Sequence, residues 1–166
     1  MEFKIRKTGR MKQLEENRIN SLHKDLMKRM FESGLQAQTI EDGSRDEKKE
    51  FLEGLKELAG FSALVVMEEE RSLFPGIISV APFMIPLLEQ EHMKAKELGE
   101  RICILEEDYE EAYTDNERMN TLLQIRTAYH EWMAFVMQHL VKEEMIVKQA
   151  TAEITAQENF LALVAA

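Results

Sequence analysis

The chain has 166 residues, room for one domain with a substantial core, since a compact domain of this size hides roughly 70% of its unfolded surface. It is 45% hydrophobic and 31% charged, with seven Gly, three Pro and an abundance of strong helix formers, which points to an all-α protein. A formal charge of −10 disfavours nucleic acid and suits a bound cation or a basic partner, and no run of about 18 apolar residues offers a membrane span.

The basic start, Lys4 to Lys12, lacks the apolar stretch of a secretory signal, so a cytoplasmic protein is expected. From about Met11 to Glu32, the apolar residues Leu14, Ile19, Leu22, Leu26 and Met30 recur at helical spacing, and Ser33 and Gly34 read as the stop. A second helix is expected from Arg45 to Phe74 through Phe51, Leu55, Leu58, Phe61, Val65 and Leu73, ended by Pro75 and Gly76. The third should begin near Pro82 or Pro86 and run through Leu88, Ala95, Gly99 and Ile102 to about Tyr113. Thr114 to Asn116 make the turn into a fourth helix, from about Glu117 to at least Glu153, carrying Leu122, Ile125, Tyr129, Trp132, Val136 and Ile146. The predicted fold is an up-down-up-down four-helix bundle, a single domain over residues 1–166 with its core roughly at 11–150. The extension 151–166 ends in an apolar stretch from Phe160 to Ala166 that is expected to dock or fray.

Three of the four histidines fall on the predicted core stripes: His23 after Ile19, His92 after Leu88, and His139 after Trp132 and Val136. Glu69 follows Val65 inward and Glu143 follows His139, while His130 lies one step off its stripe. An ionised carboxylate buried alone is costly, and a cation removes that cost. Imidazole nitrogen with carboxylate oxygen suits iron, manganese or zinc. The His139–Glu143 spacing places both groups on one helical face a turn apart. The segment Val65 to Glu70 also aligns weakly with His139 to Glu144, with Val65 at the place His139 fills in the second copy.

His23, the E-E-x-x-L-F-P segment ending at Pro75, the Glu91-His92 pair and the H-x-x-x-E-E segment from His139 together resemble the hemerythrin-like, or HHE, cation-binding family. The resemblance implies a four-helix bundle with a non-haem di-iron centre. It makes His23, His92 and His139 the terminal metal ligands and Glu69 and Glu143 the bridges, with Glu144 an alternative to Glu143. Val65 stands where the family has a histidine and Lys96 where many members have another, so each half of the expected pair lacks a nitrogen donor. The expected function is metal binding by one or two ions, iron first, with oxygen, nitric oxide, redox or iron sensing or storage as its role. The alternative is a metal-free interaction module in which Lys96 reaches inward to neutralise the buried carboxylates.

Other features read more simply. Cys103 is a packing residue with no partner for a disulfide, and most of the eleven methionines fill core gaps. Tyr129 and Trp132 belong to the core or to the wall of a ligand pocket. The acidic run Glu106, Glu107, Asp108, Glu110 and Glu111 is expected to be a solvated helix face.

Overall fold

The computed structural model describes residues 2–164, with side chains from residue 17 onward. The side chain of Leu14, those of the basic start and the terminal Ala165 and Ala166 lie outside the described residues. Among the described residues the fold is all-α: α1 Glu2–Thr39, α2 Arg45–Ser72, α3 Phe74–Val80, α4 Ile85–Glu111 and α5 Asp115–Val164. No helix among them is long and apolar enough to cross a membrane.

Local signals account for most helix starts. Ser44 opens α2 with a capping box, its side chain accepting from the Glu47 amide at 3.3 Å while Glu47 accepts from the Ser44 amide at 2.7 Å. Thr114 and Glu117 exchange the same pair of bonds, at 3.1 and 2.9 Å, where α5 begins. Pro86 sits in the first turn of α4, where a missing amide hydrogen costs nothing.

Three boundaries differ from expectation, the first being that α1 begins at Glu2 rather than near Met11. α1 does not stop at Gly34 but continues to Thr39, because Gly34 packs inward: a Cβ there would lie 3.5 Å from Met133 Sδ. The neighbouring Tyr129 hydroxyl donates to the Met30 carbonyl and pins this turn of α1 to α5. Pro75 likewise opens a helix rather than only ending one, since α3 starts at Phe74 with proline in its first turn. At the other end α5 runs helically to Val164 with Phe160, Leu161, Leu163 and Val164 exposed, so the described part of this stretch is not docked on the core.

α4 packs along α5 and α1 along α2, α2 also faces α4, α1 also faces α5, and α3 bridges α2 and α5. A main apolar core is built on Leu26, Met30, Leu55, Val65, Ile102, Ile125, Tyr129, Trp132 and Val136. A second cluster, Ile19, Leu73, Phe74, Ile77, Leu88 and Ala150, closes the end where α3 lies. Between these two apolar layers sits a polar one.

Candidate metal centre

Each long helix sends polar side chains into that layer from its buried stripe. His23 comes one turn after Ile19 on α1, Glu69 one turn after Val65 on α2, His92 one turn after Leu88 on α4, and His139 with Glu143 from successive turns of α5. All five are buried, with Glu69 1% exposed and Glu143 fully covered.

Glu69 is the hub. Its Oε1 lies 2.6 Å from His23 Nε2, and its Oε2 lies 3.3 Å from His92 Nε2. The second contact is an ion-pair distance without the alignment of a hydrogen bond, so both atoms remain unpartnered. His23 Nε2 also stands 3.4 Å from Glu143 Oε2. Ligand atoms of Glu69, His92, His139 and Glu143 all lie within 4.8 Å of one another, with His23 on the Oε1 side of Glu69. The His92 and His139 rings meet edge to face at 4.9 Å, and Phe74 of α3 stacks on His92 at 5.5 Å.

Outer carboxylates fix the two imidazoles. His92 Nδ1 lies 2.9 Å from Glu70 and His139 Nδ1 lies 2.9 Å from Glu91, which also pairs with Lys142. A carboxylate only accepts, so each Nδ1 carries a hydrogen, and in the neutral form of each ring the Nε2 lone pair faces inward, free for a cation. Glu70 and Glu91 were not singled out by sequence as site residues. Each is the chain neighbour of a stripe residue, Glu69 or His92, and adjacency was the signal available.

The electrostatics follow from burial and contact. Burial lifts the Glu69 carboxyl, but the imidazoles of His23 and His92 outweigh it and hold it at about 2. Burial pushes Glu143 up to about 10, and the Glu69 charge beside it pushes the same way. Burial lowers His139 with only partial relief from Glu91, whereas at His92 burial is overcome by Glu69 and Glu70 and the ring is raised. The layer thus holds one ionised and one protonated carboxyl, and a cation could take the place of that proton.

Seven buried side-chain nitrogen or oxygen atoms lack a hydrogen-bond partner among the described residues, and five belong here: Glu69 Oε2, His92 Nε2, His139 Nε2 and both Glu143 oxygens. Native interiors rarely leave such atoms unpaired singly, still less in a convergent group. This buried cluster of His and Glu could hold a metal ion.

The structure separates the remaining alternatives. Glu144 is exposed and pairs with Lys148 at 2.7 Å, outside the cluster. Lys96 does not reach inward: its side chain is 74% exposed and lies 3.6 Å from Glu100. The ammonium keeps its hydration by pairing along the surface, so Lys96 does not neutralise the buried carboxylates. Val65 is packed in the core. Of the acidic run, Glu107, Asp108, Glu110 and Glu111 are exposed, but Glu106 is buried, because it continues the Leu98–Ile102 stripe. His130 stays off the site, half-buried beside Tyr129.

Fold and cluster together define a class, an all-helical protein with a buried nitrogen and oxygen donor set able to hold a metal ion. No family model, no curated protein and no solved structure matches the chain.

Proposed function

We propose that the chain is a non-haem iron-binding protein of the hemerythrin-like type, a single-domain up-down-up-down four-helix bundle. Its proposed ligands are His23, Glu69, His92, His139 and Glu143. The convergence of five unpartnered buried donor atoms carries this reading. The helix-helix neighbours and the sequence resemblance support the bundle and the choice of iron over manganese or zinc.

The two sides of the site are unequal. His92 and His139, each oriented by an outer carboxylate, face Glu69 and Glu143, whereas His23 stands alone on its side with apolar Val65 one turn before Glu69. A first ion would be held by His92 and His139 with Glu69 and Glu143, and His23 would be available to a second, more weakly held one. A bound ion would supply Lewis-acidic, redox-capable chemistry suited to a diatomic gas such as oxygen or nitric oxide. A cleft of about 40 Å³ lies beside His23, lined by Ile19, Asn20, Leu73, Glu144, Val147 and Lys148.

Elemental analysis of untagged protein expressed with iron and manganese supplied tests the proposal. About one ion per chain is expected, falling sharply in His92→Ala and much less in His23→Ala. Folded protein that carries no metal under these conditions would sink it.

A further inference from the structure

A groove of about 650 Å³ runs between α2 and α4, separate from the cleft at His23. Its walls are small or apolar, among them Ala59, Ala63 and Val66 on α2 and Ala95 and Gly99 on α4, and it borders His92 at one end. The indole of Trp132, from α5, lines it. Trp132 is 1% exposed, and its Nε1 is a buried donor with no partner. A Cβ placed at Gly99 would lie 3.7 Å from that nitrogen, ordinary van der Waals contact, so the absence of a side chain at 99 leaves free space beside the buried N–H edge. Glycine inside a helix is less favourable than alanine, a cost that packing alone does not require here because the alanine would fit.

We infer that this groove binds a small, uncharged, largely apolar organic molecule bearing one hydrogen-bond acceptor, which the Trp132 Nε1–H engages. Three features select that chemistry. The volume falls within the range of about 300–1,000 Å³ typical of small-molecule sites. The rim carries Glu70, Glu89 and Glu100 against the single Lys96, itself paired with Glu100, so an anion is repelled. The indole offers a donor only, so the ligand must accept. Although His92 and Glu70 line one end of the groove, the Trp132 and Gly99 wall is not part of the metal cluster, so failure here would leave the metal-binding proposal standing.

The test uses the neutral solvatochromic probe Prodan, a naphthalene with one ketone, on the full-length protein as isolated and again after chelator treatment. Trp132 is the only tryptophan, so quenching of its emission by energy transfer reports where the probe sits. Blue-shifted Prodan emission with Trp132 quenching is expected in both preparations. Gly99→Ala should weaken binding at least about tenfold, the factor that 1.4 kcal/mol represents, while raising thermal stability. Ala63→Phe, at an exposed wall position, should block the groove without touching the core and serves if the first variant misfolds. The anionic probe anilinonaphthalene sulfonate should bind far less well. Absence of Prodan binding, binding unchanged in both variants, or binding lost as protein concentration rises and the particle doubles in mass would each overturn the assignment, the last by giving the groove to a second copy.

Discussion

Glu91 lies at the edge of the site, half-buried, with one oxygen 2.9 Å from His139 Nδ1 and the other on Lys142. A carboxylate in that position fixes the imidazole tautomer and raises its basicity, and loss of such outer partners typically costs 10–100-fold in metal affinity. Glu91→Gln keeps the shape but removes the charge, so iron affinity is expected to fall by about that factor, read by competition with a chromophoric chelator, with little change in the melting temperature of metal-free protein. Unchanged affinity would reduce Glu91 to a surface partner of Lys142. Glu106 shows the opposite situation, a buried carboxyl with one oxygen unpartnered. Burial raises it from the ordinary 4.5 to about 7; Lys56 on α2 opposes the rise, and Glu107 adds to it. The folded state therefore holds the proton more tightly than the unfolded chain, so this contribution is full below pH 4.5 and lost as pH rises through 7. Glu106→Gln should stabilise the protein by about 1–2 kcal/mol at pH 8 and by less at pH 5, measured as paired urea titrations. A gain equal at both pH values would show that charge is not the cause.

α2 and α5 present the same register, an inward residue, three spacers and an inward glutamate, with Val65–Glu69 on one and His139–Glu143 on the other. Because Val65 is packed in the core one turn from Glu69, Val65→His would add a nitrogen to the side where His23 stands alone. The variant should lose stability without metal, on the order of 1–3 kcal/mol for a buried unpaired imidazole, and should move iron content from about one toward two per chain. Unchanged iron content would mean that position 65 does not face the site. The same stripes explain what was readable in the sequence. His23, Glu69, His92, His139 and Glu143 could be placed inward because helical periodicity fixes a face to within one residue. Helix ends were less legible: Gly34 carries a local stop signal that tertiary packing by Met133 and Tyr129 overrides, whereas α2 does end before Pro75, which then also begins α3. Lys96 was ambiguous for a related reason. Position 96 is one turn from His92, yet the stripe continues through Ala95 and Gly99, and a long cation beside a stripe turns to water. The partners Glu70 and Glu91 were hidden because they lie beside the stripe and reach their histidines across helices.

For the molecule as a whole, the cluster joins α1, α2, α4 and α5 at one level, between the main core and the apolar cap that α3 completes. Without a cation, that level holds two adjacent buried carboxyls, one of them kept protonated, and a set of unpaired polar atoms, each of which costs stability. An ion that binds only the folded state adds RT ln(1 + [L]/Kd), about 4 kcal/mol at a thousandfold excess over Kd, or on the order of 10 °C in melting temperature for a chain of this length. Iron(II) added anaerobically to chelator-treated protein should produce a shift of that size, and His92→Ala should largely abolish it. The pH dependence has a definite sign. Uptake must release the proton held on Glu143, whose carboxyl burial and Glu69 push up to about 10, so binding competes with protonation throughout the neutral range. The apparent Kd should therefore fall about tenfold per unit as pH rises from 6 to 8, and the thermal shift at fixed iron should grow in parallel. In Glu143→Gln, which has no proton to release, that pH slope should flatten and the affinity should drop. A slope that persists in this variant would place the released proton on a histidine instead.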